Sequence, residues 1–329
     1  MKPMIVLLAL VLLAGLALFG WTRLGVHDIE RRFPPVGQFA GPPDARTHYV
    51  DVARGQGFLD HEPAAGASLP PMLLLHGASA NLLDQLHAHA PGLIGRGRLV
   101  AVDRPGHGYS DRGDAETPLQ QADRYVALLD EIGIDRTIVI CHSLGCASAA
   151  ALAVAHPERV LGLVFLAPAT HPWPGGVTWY YDIGSMAGVS YLFTETLVYP
   201  VGNASLQAGV ESVFAPDEPP QDYAQRAAIP LAFRPATFRA NSRDVARLND
   251  FVRDFAPRYR EITAPTVIVT GDTDGVVAPS IHSVGLERDI KGAELVVLPR
   301  VGHKPDYAAR DVVVAAVEKV AERAGATAD

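Results

Sequence analysis

Three short stretches carry residue types that could do chemistry together. They are "CHSLG" (141–145), "GDTDG" (271–275) and "VGHKPD" (301–306). A serine hydroxyl is a weak nucleophile at neutral pH and needs an adjacent base. Histidine suits, because its ordinary pKa of about 6.5 leaves a neutral ring at working pH. The base in turn needs a carboxylate to orient it. Ser143 and His303 would supply the first two roles and Asp274, or its near rival Asp272, the third, and together they would support acyl transfer. Alone, Ser143 could equally be an ordinary serine at a helix start, so the elements around it decide.

Those elements repeat. "PMLLLHG", "RLVAVDRPGHG", "RTIVICHS", "VLGLVFLAP", "APTVIVTGD" and "AELVVLP" are short unalternating aliphatic runs, each ending in turn residues. Strands buried on both faces of a parallel sheet read this way. Helical patterns lie between them, at roughly 117–132, 144–155 and 305–323, which predicts an α/β sheet with right-handed crossovers. Residues 171–255 break the rhythm and read as a helical lid or cap over the carboxyl edge of the sheet, where such sheets bind ligands. Trp173, Trp179, Tyr180, Tyr181, Tyr191 and Phe193 in that insertion either line an acyl pocket or form its own core.

Within this frame, a strand that ends in "CHSLG" and passes straight into a helix presents its serine on a strained turn. Positions two before and two after must be small, as in G-x-S-x-G. Gly145 meets this; Cys141 stands where glycine is usual. Together with "HGAS", "DRPGHGYS", "GDTDGVV" and "GHKPD", each in order at the end of an apolar run, the chain resembles the α/β-hydrolase superfamily over roughly residues 48–325. The resemblance implies a mostly parallel sheet with helices on both faces. It implies Ser143 as nucleophile, His303 as base and Asp274, in G-x-x-D from Gly271, as the orienting acid. Asp272 is then a turn former. The amides of Leu144, after the nucleophile, and of Ala78, after "HG", would bind an oxyanion. In the family the "DRPGHG" loop is structural, with Asp103 and Arg104 tying the floor of the site. His76 is expected to brace its loop, and His142 to shape the pocket wall. The pair in "HAH" (87–89) faces opposite sides of a helix, which disfavours zinc.

Composition bounds the rest. The chain has 329 residues, 48% hydrophobic and 19% charged, with net charge −8, so nothing favours a nucleic-acid partner. Its two cysteines, Cys141 and Cys146, are no disulfide framework. They read as small buried thiols, since a strand-to-helix turn can hold their Cα atoms beyond bridging range; a strained disulfide across the turn is the alternative if the domain is extracytoplasmic. The uncharged stretch Met4–Trp21 is long enough to span a bilayer as a helix. A cleaved signal peptide, hence secretion, is the competing reading, although no clean A-x-A site follows. Lys and Arg counts lean towards a cytoplasmic catalytic domain without fixing the side.

The organisation expected is therefore a membrane anchor (1–22), a linker (23–47), a hydrolase core (48–170 and 256–329) and a lid (171–255). The function expected is a membrane-anchored serine hydrolase cleaving an ester or related acyl bond of a small molecule with an apolar group. No metal and no organic cofactor are implied. Carbon–carbon bond hydrolysis, cofactor-free perhydrolysis and a tethered binding protein without turnover stay open. A serine rather than an aspartate at 143 argues against the haloalkane dehalogenase and epoxide hydrolase branches.

Overall fold

A computed structural model of the chain describes residues 2–325. In chain order the elements are α1 (Lys2–Arg32), β1 (Gln38–Ala40), β2 (Thr47–Val52), β3 (Met72–Leu75), α2 (Leu82–Leu93), β4 (Leu99–Val102), α3 (Pro118–Glu131), β5 (Thr137–His142), α4 (Gly145–Ala155) and β6 (Val160–Leu166). The lid follows with α5 (Trp179–Ser185), α6 (Val189–Phe193), α7 (Tyr199–Phe214), α8 (Tyr223–Arg226) and α9 (Pro235–Phe255). The core resumes with β7 (Thr266–Gly271), α10 (His282–Asp289), β8 (Glu294–Leu298), α11 (Pro305–Ala308) and α12 (Arg310–Arg323).

The strands form one sheet in the order β1-β2-β4-β3-β5-β6-β7-β8. Among the described strands β2 alone is reversed, antiparallel to β1 and β4 on either side of it. The aliphatic runs read as two-sided strands are just that: every residue of β3, β4, β5 and β7 is buried. On one face α2 and α12 cover the sheet through Leu82, Leu86, Leu93, Val313, Val317 and Val320. On the other, α3, α4 and α10 supply Tyr125, Leu129, Leu152 and Leu286. Local chemistry starts the helices where expected. Thr117 and Gln120 make a reciprocal capping box at α3, with Pro118 in its first turn.

Two boundaries differ from the sequence reading. Residues 23–32, expected in a linker, continue α1 until Pro34 and Pro35 stop it. The reason is packing: Thr22, Gly25 and Ile29 are buried against the lid, so this part of the helix has a partner. The sheet also begins before residue 48, because Gln38–Ala40 pairs with Thr47–Tyr49. The lid is helical, as expected, and Pro235 opens α9 in its first turn.

Candidate active site

The site assembles at the carboxyl ends of β3, β5, β7 and β8. Ser143 follows β5 directly and has φ of 51°, a left-handed conformation that costs a non-glycine residue about 1–3 kcal/mol. Its surroundings hold it there. Its amide donates to the Leu166 carbonyl, and its own carbonyl accepts from Cys146 and Ala169. Gly145 is required by approach: a Cβ there would lie 2.4 Å from the His76 carbonyl oxygen. Cys141 and Cys146 are bonded to each other, with Cα atoms 5.0 Å apart. The expectation of two separate thiols is thereby corrected; the turn brings the end of β5 and the first turn of α4 within bridging range.

His303, 4% exposed, lies on the loop after β8. Its Nδ1 is 2.8 Å from Asp274 Oδ2, and its Nε2 is 3.0 Å from Ser143 Oγ. A carboxylate only accepts, so Nδ1 carries the proton and Nε2 is free to accept from the hydroxyl. The other oxygen of Asp274 accepts from the amides of Val276 and Val277. Burial raises the Asp274 pKa, but the His303 hydrogen bond, its charge and those amides outweigh this and hold the carboxyl below its usual value. Asp272 instead caps a turn, accepting from the Arg300 amide.

Ala78 sits on the loop after β3, beside the elbow, and lines the same cavity as Ser143. Leu144 packs with it in one apolar cluster. Among the described residues, no acceptor pairs with the amide of either. His76 braces this loop: its Nδ1 donates to the Gly77 carbonyl and its Nε2 accepts from the Arg104 amide. Asp103 ties the floor through the amides of Leu82 and Tyr109 and the ring of His48. Arg104 is fully buried and pairs with Asp244 of the lid at 2.9 Å. In "HAH" the two rings diverge, His87 meeting His61 and His89 meeting Gln85.

Some of the architecture carried no motif. Lys304, beside His303, is buried and pairs with Asp84 of α2 and Asp306 at 3.0 Å each. Burial lowers its pKa, but the two carboxylates raise it by more. Tyr223 of the lid donates to Asp84. His142 donates through Nε2 to the His303 carbonyl, so it positions the loop carrying that ring as well as forming the pocket wall. Burial, then the charge of Lys304, pushes the His142 pKa down to about 4. Asn241 of α9 reaches across to the Ser79 amide and hydroxyl, next to Ala78. Only "GHKPD" could have hinted at Lys304; Asp84 and Asn241 lie in stretches with no sequence signal.

Ser143 opens into a cavity of about 440 Å³ between core and lid. Tyr181, Phe193, Val198, Leu206 and Phe238 are among its walls, while Asp84, His142, His303 and Lys304 form the polar end. Of the aromatics left between two readings, Trp179, Tyr180, Tyr181 and Phe193 line this space. Trp173 packs on the Ala78–Leu144 cluster, and Tyr191 is exposed beneath Arg239.

Comparisons with known proteins agree with the architecture. The profile of the alpha/beta hydrolase fold matches residues 70–305. A dihydrolipoyllysine-residue acetyltransferase component of the acetoin cleaving system, from Cupriavidus necator, is 30% identical over 191 residues, which are 58% of this chain. The chain spans about half of that relative, 47%. A 2-hydroxy-6-oxononadienedioate/2-hydroxy-6-oxononatrienedioate hydrolase of Dechloromonas aromatica is 26% identical, covering 79% of this chain and 89% of its own. The crystal structure of a membrane phospholipase A, a bacterial virulence factor, superposes with a TM-score of 0.64 at 20% identity and covers 99% of both chains.

Proposed function

Because the chain belongs to the α/β-hydrolase fold family, we propose that it is a membrane-anchored serine hydrolase acting on esters of apolar acyl chains. The observation that carries this reading is the continuous Asp274–His303–Ser143 hydrogen-bonded chain, opening on a cavity walled by apolar side chains. His303 Nε2 takes the hydroxyl proton as Ser143 Oγ attacks the ester carbonyl. The amides of Ala78 and Leu144 face the oxyanion of the tetrahedral intermediate. His303, held by Asp274, then gives its proton to the leaving alcohol. Water, activated by the same ring, releases the acid from the acyl-serine.

The cavity favours a neutral acyl chain over the dienedioate named for the Dechloromonas relative. The charged side chains lining it are Asp84 and Lys304, and Lys304 is already paired with two carboxylates. No free cation therefore faces a substrate carboxylate among the described lining residues. Residues 4–21 of α1 are uncharged and none is buried, about 27 Å of helix, which matches a bilayer core. The likeness to the membrane phospholipase A extends over this helix as well.

A series of p-nitrophenyl esters tests the reading. From acetate to decanoate, kcat/KM should rise by at least about tenfold, since each buried methylene is worth about 0.8 kcal/mol. Turnover of a dienedioate with no turnover of the esters would instead assign carbon–carbon bond hydrolysis.

A further inference from the structure

The lid carries an exposed apolar face next to α1. Trp179, Met186, Val189, Leu192, Leu197 and Val201 are each 40–71% exposed. From Met186 to Val210 the chain holds a single charged residue, Glu195. That charge is answered, because Glu195 pairs with Arg23 of α1 at 2.8 Å and with Arg239 at 3.3 Å. Monomeric soluble proteins rarely leave such a surface uncovered.

The same segment holds α1. Thr22 donates to the Thr196 carbonyl, and the ring of Tyr199 lies where a side chain at Gly25 would be. Further along, Glu30 pairs with Arg234 and Arg32 bonds Gln225. The lower half of α1 is thus fixed to the lid, and its apolar half leaves from the edge of this face. Trp21, Trp179 and Tyr191 are exposed around that junction, with Arg23 on the helix reaching Glu195 of the same segment. Aromatics and cations in this arrangement suit the headgroup layer.

Three residues belong to both the exposed face and the cavity wall: Trp179, Leu197 and Val201. The mouth of the cavity therefore opens on this face. We propose that this face of the lid lies in the membrane interface beside α1, and that the cavity takes acyl substrates directly from the bilayer through that mouth. The inference rests on the anchored acyl-hydrolase reading above, and commits to lipid rather than a second copy of the chain as what covers the face.

Full-length protein in phosphatidylethanolamine–phosphatidylglycerol vesicles tests it twice. Lipids with brominated acyl chains should quench the tryptophan fluorescence of the wild type more than that of Trp179→Phe. Equal quenching overturns the inference, and this result does not depend on any hydrolysis. The double variant Met186→Asp/Leu192→Asp changes neither the catalytic residues nor the cavity wall. It should keep its rate on soluble p-nitrophenyl butyrate and lose at least about tenfold in kcat/KM on a long-chain ester embedded in the vesicles. Unchanged vesicle rates overturn the inference, including the case in which the variant merely turns a dimer into a monomer. Failure of the wild type on every ester counts against the hydrolase reading, and the quenching result still decides this one.

Discussion

Ser143 reaches His303 because buried rings constrain the two loops, His76 bracing the loop of Ala78 and His142 holding the loop of His303. The imidazoles around them are neutral for a physical reason, and that has a measurable consequence. Burial pushes the pKa values of His89, His142 and His282 down to about 4, the charge of Lys304 adding to it at His142 and that of Asp306 opposing it at His89. In the unfolded chain each titrates near about 6.5. Between those values the unfolded chain binds more protons, so stability falls as pH falls, by up to about 3 kcal/mol per ring. The carboxyls of Asp274 and Asp84 are held below their ordinary values, so their contribution is lost only below pH of about 4. Melting temperature should therefore drop steeply between pH of about 6.5 and 4, and His89→Gln should flatten the slope. A constant melting temperature across that range would contradict this account of the buried rings.

At the scale of elements, the β5–α4 turn is the most constrained piece. A side chain at position 145 would strike the backbone oxygen of His76, which is not free to yield because His76 braces the loop of Ala78. Gly145→Ala is expected to cost about 1–3 kcal/mol in stability and about a hundredfold in kcat through displacement of Ser143. Unchanged values in denaturant titration and turnover would show that the elbow has more slack than its geometry allows. The turn was legible because its needs are local: a strand, a serine and a small residue two places on. The strands were legible for a similar reason, since burial on both faces leaves unbroken aliphatic runs. The end of α1 was not. Residues 23–32 mix Arg, Asp and Glu with apolar positions, and only contact with Thr196, Tyr199 and Arg234 explains why they stay helical. The bond between Cys141 and Cys146 is not legible in the sequence, because spacing along the chain does not give the 5.0 Å separation that the turn creates.

Across the whole molecule, four strand ends, α2 and the lid converge on one serine. The order of motifs was enough to expect Ser143, Asp274 and His303 at one edge of the sheet. It could not supply the partners that come from distant elements, such as Asp84 beneath Lys304 or Asn241 on Ser79, because those pairings depend on how the lid and α2 settle over the sheet. Nor could it choose between core and pocket for the lid aromatics, since either use is equally apolar. The account stands on Ser143 acting as a nucleophile activated by His303. The direct measurement is reaction with a fluorophosphonate, followed by peptide mass mapping. The account predicts one adduct per chain, on Ser143, absent in Ser143→Ala and formed far more slowly in His303→Ala. An intact, folded protein that takes no label, or takes it on another residue, would contradict it.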